Sequence, residues 1–161
     1  MEIRIRQTGE VVTESQFRSM HKGSSLPQLS ETLLNEMGAD IVFEGPQASG
    51  GDQYQFSQRQ GVEQINGKWY TKYVLGPIFT DNDEATAAQQ EAAYKATKDA
   101  EQAKAVRDDR NKRLADCDWT QLADSTADKA AWATYRQALR DITSQGGFPW
   151  NVTWPVQPGK E

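Results

Sequence analysis

His21 and Cys117 are the only histidine and the only cysteine in the 161-residue chain, so the side chains most used for acid–base, nucleophilic and metal chemistry occur once each. A catalytic histidine or nucleophile needs a partner base and an orienting acid. No serine or cysteine here can be given that pair from local motifs. His21 lies near the end of a predicted helix, where partial negative charge tolerates it. Cys117 has no second sulfur for a disulfide and no ligands for a metal cluster, and reads as a small buried side chain. Acids are plentiful, but none stands in an apolar context that would raise its pKa. Glu44–Asp52, EGPQASGGD, is rich in glycine but lacks the lysine and spacing of a phosphate-binding loop, so it reads as a connector. The expected inventory is no catalytic residue, no cofactor and no metal.

Binding chemistry is better represented. Four of the five tryptophans fall between Asp116 and Pro158. Aromatic side chains at this density demand burial, on the chain itself or on a partner. Hydrophobic residues make up 37% of the chain and mean hydropathy is −0.80, which points to an elongated part or to completion by partners. Net charge is −5 with no basic field, which disfavours nucleic acid. No apolar run is long enough to span a membrane. The charged start, MEIRIRQTGE, is not a signal peptide, so synthesis in a cytoplasm is expected. The sequon Asn151-Val152-Thr153 is then expected to stay unmodified.

Residues 1–80 read as a small α+β module. Ile3 and Ile5 alternate with arginines as a half-exposed strand. Thr13 to Gln16 is a capping box, with Val12 and Phe17 at staple positions, opening a helix from Glu14 to about His21. Pro27 suits a first helical position; Leu26, Leu29, Leu33 and Met37 give one apolar face, and Gly38 ends the helix. Ile41-Val42-Phe43 resumes as a strand. Asn66-Gly67 between VEQI and KWYTKYVL signals a hairpin, with Trp69, Thr71, Tyr73 and Leu75 on one face and Tyr70, Lys72 and Val74 on the other. Tyr54, Phe56, Trp69 and Tyr70 are either cross-strand packing or a surface that docks a partner or stacks sugars.

Residues 81–117 read as one long charged helix. Asp81 with Glu84 suggests a capping box, and no proline or glycine interrupts from Asp83 to about Ala115, a run of about 50 Å if helical. Glu91–Lys95, Asp108–Lys112 and Asp109–Arg113 are favourable pairs. Large apolar residues are few (Tyr94, Val106 and Leu114), and the rest of any seam is alanine at 85, 88, 92, 96, 100 and 103. The helix is therefore a solvated connector, a strut packing on identical copies, or a disordered linker.

Residues 118–161 hold a second helix and a tail. Ser125 or Thr126 is expected to cap the helix, with Asp128 at its positive start. Trp132, Tyr135, Leu139 and Ile142 form a seam that can fold back on Val106, Arg110, Leu114 and Cys117 as an αα-hairpin. Arg136 and Arg140 lie on a neighbouring face, as solvated charge or paired with aspartates of the first helix. Gly146-Gly147 stops the helix. Phe148, Trp150, Val152, Trp154 and Val156 then alternate with Pro149, Asn151, Thr153 and Pro155, an extended strip whose apolar row packs either on this hairpin or in a groove of another protein.

Arg107 to Asp116, the DWTQL turn (Asp118 to Leu122), the W-x-x-YRQALRDI helix (Trp132 to Ile142) and the GFP…V-x-WP-x-x-P tail (Gly147 to Pro158) together resemble the C-terminal region of bacteriophage tail assembly chaperone proteins, also found on tail-fibre and fibre-assembly polypeptides. The first half is similar, less specifically, to short tail-fibre-related proteins of tailed phages. The resemblance supplies no catalytic residues. It implies a protein that binds a tail-fibre or baseplate component, transiently or as part of the virion tail, after synthesis in the host cytoplasm.

The expected fold is α+β: a small mixed sheet with two short helices and a hairpin, then a long helix and a C-terminal αα-hairpin with an aromatic, proline-punctuated tail. The expected partner surface comprises Trp119, Trp132, Tyr135, Arg136, Leu139, Phe148, Trp150 and Trp154, with Tyr54, Phe56, Trp69 and Tyr70 as an N-terminal surface. Self-association would run through the long helix. Two other classes stand beside this reading: a receptor-binding or adaptor tip of the fibre, and a tail-borne cell-wall hydrolase.

Overall fold

The computed structural model describes residues 1–22 and 26–159. They form two compact units, Met1–Ile78 and Phe79–Glu161. The fold is α+β, as the patterning implies.

In the first unit, β1 (Glu2–Ile5), β2 (Val11–Thr13), β3 (Ala39–Phe43), β4 (Phe56–Ile65) and β5 (Lys68–Gly76) make one mixed sheet in the order β2-β1-β3-β5-β4. β3 and β5 run parallel and the other pairs antiparallel. Ile3 faces both Val12 and Ile41 in register, so one sheet face is apolar. Helices α1 (Glu14–Met20) and α2 (Glu31–Glu36) supply Phe17 and Leu34 to the same core, which also holds Leu29 and Ala39. The Thr13–Gln16 capping box forms as expected, and Val12 and Phe17 are buried on either side of it. The turn between β4 and β5 has Asn66 at φ 49° and Gly67 at φ 80°, the left-handed pair a two-residue hairpin requires.

The helix expected from Pro27 starts later. Ser30 is its cap, its hydroxyl accepting from Leu33 N, and the buried residue it contributes is Leu34. Leu26 and Leu29 reach the core from non-helical backbone. Arg18 explains the delay: its guanidinium donates to the carbonyls of Leu26 at 2.9 Å and Pro27 at 3.1 Å, which holds that segment out of a helix.

In the second unit, α3 (Ala87–Asp116) is a helix of 30 residues, so the disordered reading does not hold. It begins with a capping box at Thr86 and Gln89, in place of the expected Asp81 and Glu84. Asp81 instead accepts from Ala87 N at 2.6 Å, and Asn82 accepts from Glu84 N and Ala85 N, so the preceding amides are satisfied by a turn. The Glu91–Lys95 and Asp109–Arg113 pairs form; Asp108 pairs upstream, with Lys104. Ala88, Ala92, Ala96 and Ala100 are exposed.

A 3₁₀ turn (Asp118–Gln121) follows α3 and leads to α4 (Lys129–Arg140), then a second 3₁₀ turn (Asp141–Ser144). The cap of α4 is Asp128, whose carboxylate accepts from Ala130 N and Ala131 N. Neither Ser125 nor Thr126, the two expected caps, takes that place; the Ser125 hydroxyl accepts from Ala127 N in the approach to the helix. A charged cap next to the positive end of the helix wins over a hydroxyl three residues earlier.

Candidate functional site

The α4 seam does what its spacing requires. Trp132, Tyr135, Leu139 and Ile142 are buried, and the first three pack with Cys117, with Leu114, Ala127 and Trp154 against them. Trp132 meets Tyr135 edge-on at 5.6 Å between ring centroids. Of the expected α3 partners, Leu114 and Cys117 meet this seam; Val106 instead lies beside Trp150, Val152 and Trp154, and Arg110 donates to Asn111.

Arg136 is neither solvated nor paired with an aspartate of α3. It is buried, with Nη1 donating to Leu114 O at 2.8 Å and lying 3.0 Å from Cys117 Sγ, while Nη2 pairs with Asp118 at 2.8 Å. The Leu114 carbonyl also accepts from Cys117 N, and it belongs to the last turn of α3, where carbonyls lack helical partners. A cation there opposes the negative helix end. Burial disfavours the charge, but the hydrogen bonds to Asp118 and Cys117 outweigh it and raise the Arg136 pKa. Arg136 therefore clasps the two helices together.

The tail does not continue as one extended strip. Asn151 N donates to Gly147 O at 2.6 Å, closing a turn that reverses the chain. A Cβ on Gly147 would sit 2.0 Å from the Asn151 oxygen, so only glycine fits this approach. Either side of the turn rests on α3: Trp150 Nε1 donates to Asp99 at 2.6 Å, and the Arg107 and Arg113 guanidiniums lie over the rings of Phe148 and Trp154 at 5.3 and 4.2 Å. Gln145 brackets Thr153, its amide donating to Thr153 O at 2.8 Å and accepting from Thr153 N at 2.7 Å. Phe148, Trp150 and Trp154 are thus half-buried on their own helix.

Trp119 differs from the rest. It sits on the first 3₁₀ turn, meets Trp132 at 5.8 Å and remains 51% exposed; Leu122, just after the turn, is 58% exposed. Thr120 between them is fully buried, its hydroxyl donating to Cys117 O at 2.7 Å, so a fixed turn presents these two apolar side chains. Beside it, Gln121, Ala133, Thr134, Arg136, Gln137, Ala138, Arg140 and Asp141 line a shallow groove of about 670 Å³.

The N-terminal aromatics do not share a platform. Trp69 faces Gln64 and Val42 in register and carries Arg4 over its ring at 3.9 Å. Tyr70 points to the opposite face and packs on Phe43 at 5.6 Å. Phe56 pairs with Gly76 at the far end of the hairpin, and Tyr54 precedes that strand. Trp69 borders a cavity of about 370 Å³ with Arg6, Asn35, Asp40 and Lys68, in which Arg6 already bonds Asp40 and Asn35. Among the described residues, no group of three or more His, Cys, Asp or Glu is placed to hold a metal ion, and no helix is long and apolar enough to cross a membrane.

No curated protein and no solved structure matches the chain. Residues 103–159 match the model of the family described as phage tail assembly chaperone protein, so the second half of α3, the Trp119 turn, α4 and the tail are together similar to that family.

Proposed function

We propose that the protein acts by binding rather than turnover, as a tail assembly chaperone that holds a tail-fibre or baseplate polypeptide. The observation that carries this is the division of labour among the aromatics of the matched segment. Trp132, Tyr135, Trp150 and Trp154 build and brace the hairpin, while Trp119 and Leu122 stay exposed on a turn that the Thr120 and Arg136 contacts hold fixed. Ordered apolar exposure of this kind is suited to a partner surface. The exposed alanines of α3 offer a route to self-association, read out by the mass of the pure protein in solution.

The test is co-purification of the protein with the neighbouring fibre and baseplate products of its phage, followed by mass spectrometry of purified particles. Stable capture of a fibre or baseplate product, with the protein absent from virions, is the expected result. Fixed-copy presence in virions would make it a structural component of the tail. Failure to bind any tail product would sink the binding reading.

A further inference from the structure

We propose that β4 is a self-association edge, at which two copies of the chain pair their β4 strands antiparallel about a two-fold axis at the Gln60-Gly61 bulge. The surface belongs to the first unit and uses none of the aromatics that carry the binding function above.

The two edges of the sheet differ. β2, at one end of the order, has three residues, while β4, at the other, has ten. An edge strand leaves alternate amides and carbonyls unpaired along its outer side, and natural sequences blunt such edges with lysine or proline. The β4 sequence, FSQRQGVEQI, contains neither. Its irregularity is the bulge, where Gln60 and Gly61 together stand opposite Lys72 and Gly61 takes φ 74°. An off-centre bulge would throw an added strand out of step, but this one is central. The ten residues occupy nine rungs of β5, from Gly76 to Lys68, with residues 56–59 and 62–65 on either side of the Lys72 rung. A two-fold axis at that rung sets bulge against bulge and fixes every pair. Phe56 of one copy meets Ile65 of the other, Ser57 meets Gln64, Gln58 meets Glu63 and Arg59 meets Val62, each pair on a single sheet face. Phe56 and Ile65 are the large apolar side chains that β4 leaves in water, 52% and 40% exposed, and this register covers both in both copies. Arg59 and Glu63 are the strand's only charges, and each faces a neutral residue. Sliding one copy by two rungs sets the bulge against a straight residue, and in one direction it also brings Arg59 against Arg59 of the other copy. The edge is therefore complementary to itself in one register.

Sedimentation of the full chain over rising concentration reads the association, and the expected result is a monomer–dimer equilibrium. Phe56→Lys combined with Ile65→Lys should weaken it about tenfold. Gln58→Glu, which sets carboxylates face to face, should also weaken it, while Gln58→Lys, opposite Glu63, should tighten it. Melts at concentrations where the parent is monomeric check that each variant folds. The register is read separately. Phe56→Cys combined with Ile65→Cys puts two thiols eight rungs apart within a copy, about 27 Å, but opposite one another between copies. The native Cys117 is buried and stays out of the reaction. Mild oxidation should give a covalent dimer from the double variant and not from either single variant. A chain that sediments as a monomer at every concentration would overturn the proposal. So would a dimer indifferent to the Phe56, Gln58 and Ile65 changes, as association through the α3 alanines would be, or equal cross-linking by the single and double variants. Each of these results leaves capture of a tail protein to be judged on its own.

Discussion

Arg136 Nη1 and the Leu114 carbonyl meet at 2.8 Å across twenty-two residues of chain, joining the middle of one helix to the last turn of another. The bond replaces the water that a helix C-terminus would otherwise use. Arg136→Ala removes one of two donors from a part-buried carbonyl, together with the bonds to Cys117 and Asp118, and should cost about 1–3 kcal/mol in urea unfolding of the second unit. Asp118→Asn changes only the exposed partner of the same arginine and should cost under about 1 kcal/mol. Equal costs would mean that the ion pair, and not the carbonyl bond, joins the helices.

The hairpin separates packing from presentation. Leu139 is fully buried, so Leu139→Ala should lower stability by about 2–5 kcal/mol, and Trp132→Ala by about 3–5 kcal/mol. Trp119→Ala should cost far less, because half of that side chain is already in water. Thermal melts of the three variants check this. Near-parental melting of Trp132→Ala with loss of partner capture would make the seam itself an interface.

The tail reversal depends on one missing methyl group. Gly147→Ala drives a Cβ into the Asn151 carbonyl and should release the tail from α3. Amide exchange across residues 148–156 should quicken and tryptophan emission shift to the red. Trp150→Phe, which deletes the bond to Asp99 and keeps an aromatic ring at the site, should give a milder form of the same change at about 1.5–3 kcal/mol. A truncation at 147 that melts like the parent yet captures no partner would convert the tail from a brace into a docking strip.

Acid should weaken the first unit through Glu2. Its hydrogen bonds to Arg59, at 2.7 Å each, hold its pKa below the ordinary value of 4.5. The unfolded chain therefore takes up this proton first, so the contribution is intact above about pH 4.5 and is lost as pH falls through the lowered folded value. Glu2→Gln should lower the urea midpoint slightly at pH 7, and the gap should close as pH falls below 4.5 and through the lowered folded value. A gap that does not narrow at all as pH falls below 4.5 would mean the glutamate stabilises by packing.

Local chemistry was legible in the sequence wherever neighbours decide it. The Thr13–Gln16 box, the Asn66-Gly67 turn and the Trp132–Ile142 seam follow from spacing alone. Starts of helices were misplaced where a distant or competing group intervened. Arg18 holds the carbonyls before α2, and a turn built on Asn82 consumes the amides that an Asp81–Glu84 box needed. Strict alternation in the tail concealed a reversal, because period two records which side chains are apolar but not where the backbone doubles back. Arg136 was legible as a charge on a helix, but its partner is a backbone carbonyl, and carbonyls leave no mark in a sequence.

Gln145 holds Thr153 by its peptide groups alone, doing with one side-chain amide what a neighbouring strand would do with a rung of its ladder. The identity of residue 153 is therefore free to drift, while the number of residues between 145 and 153 is not. A one-residue insertion there would leave every aromatic in place in the sequence and put Trp154 out of step with the arginine beneath it.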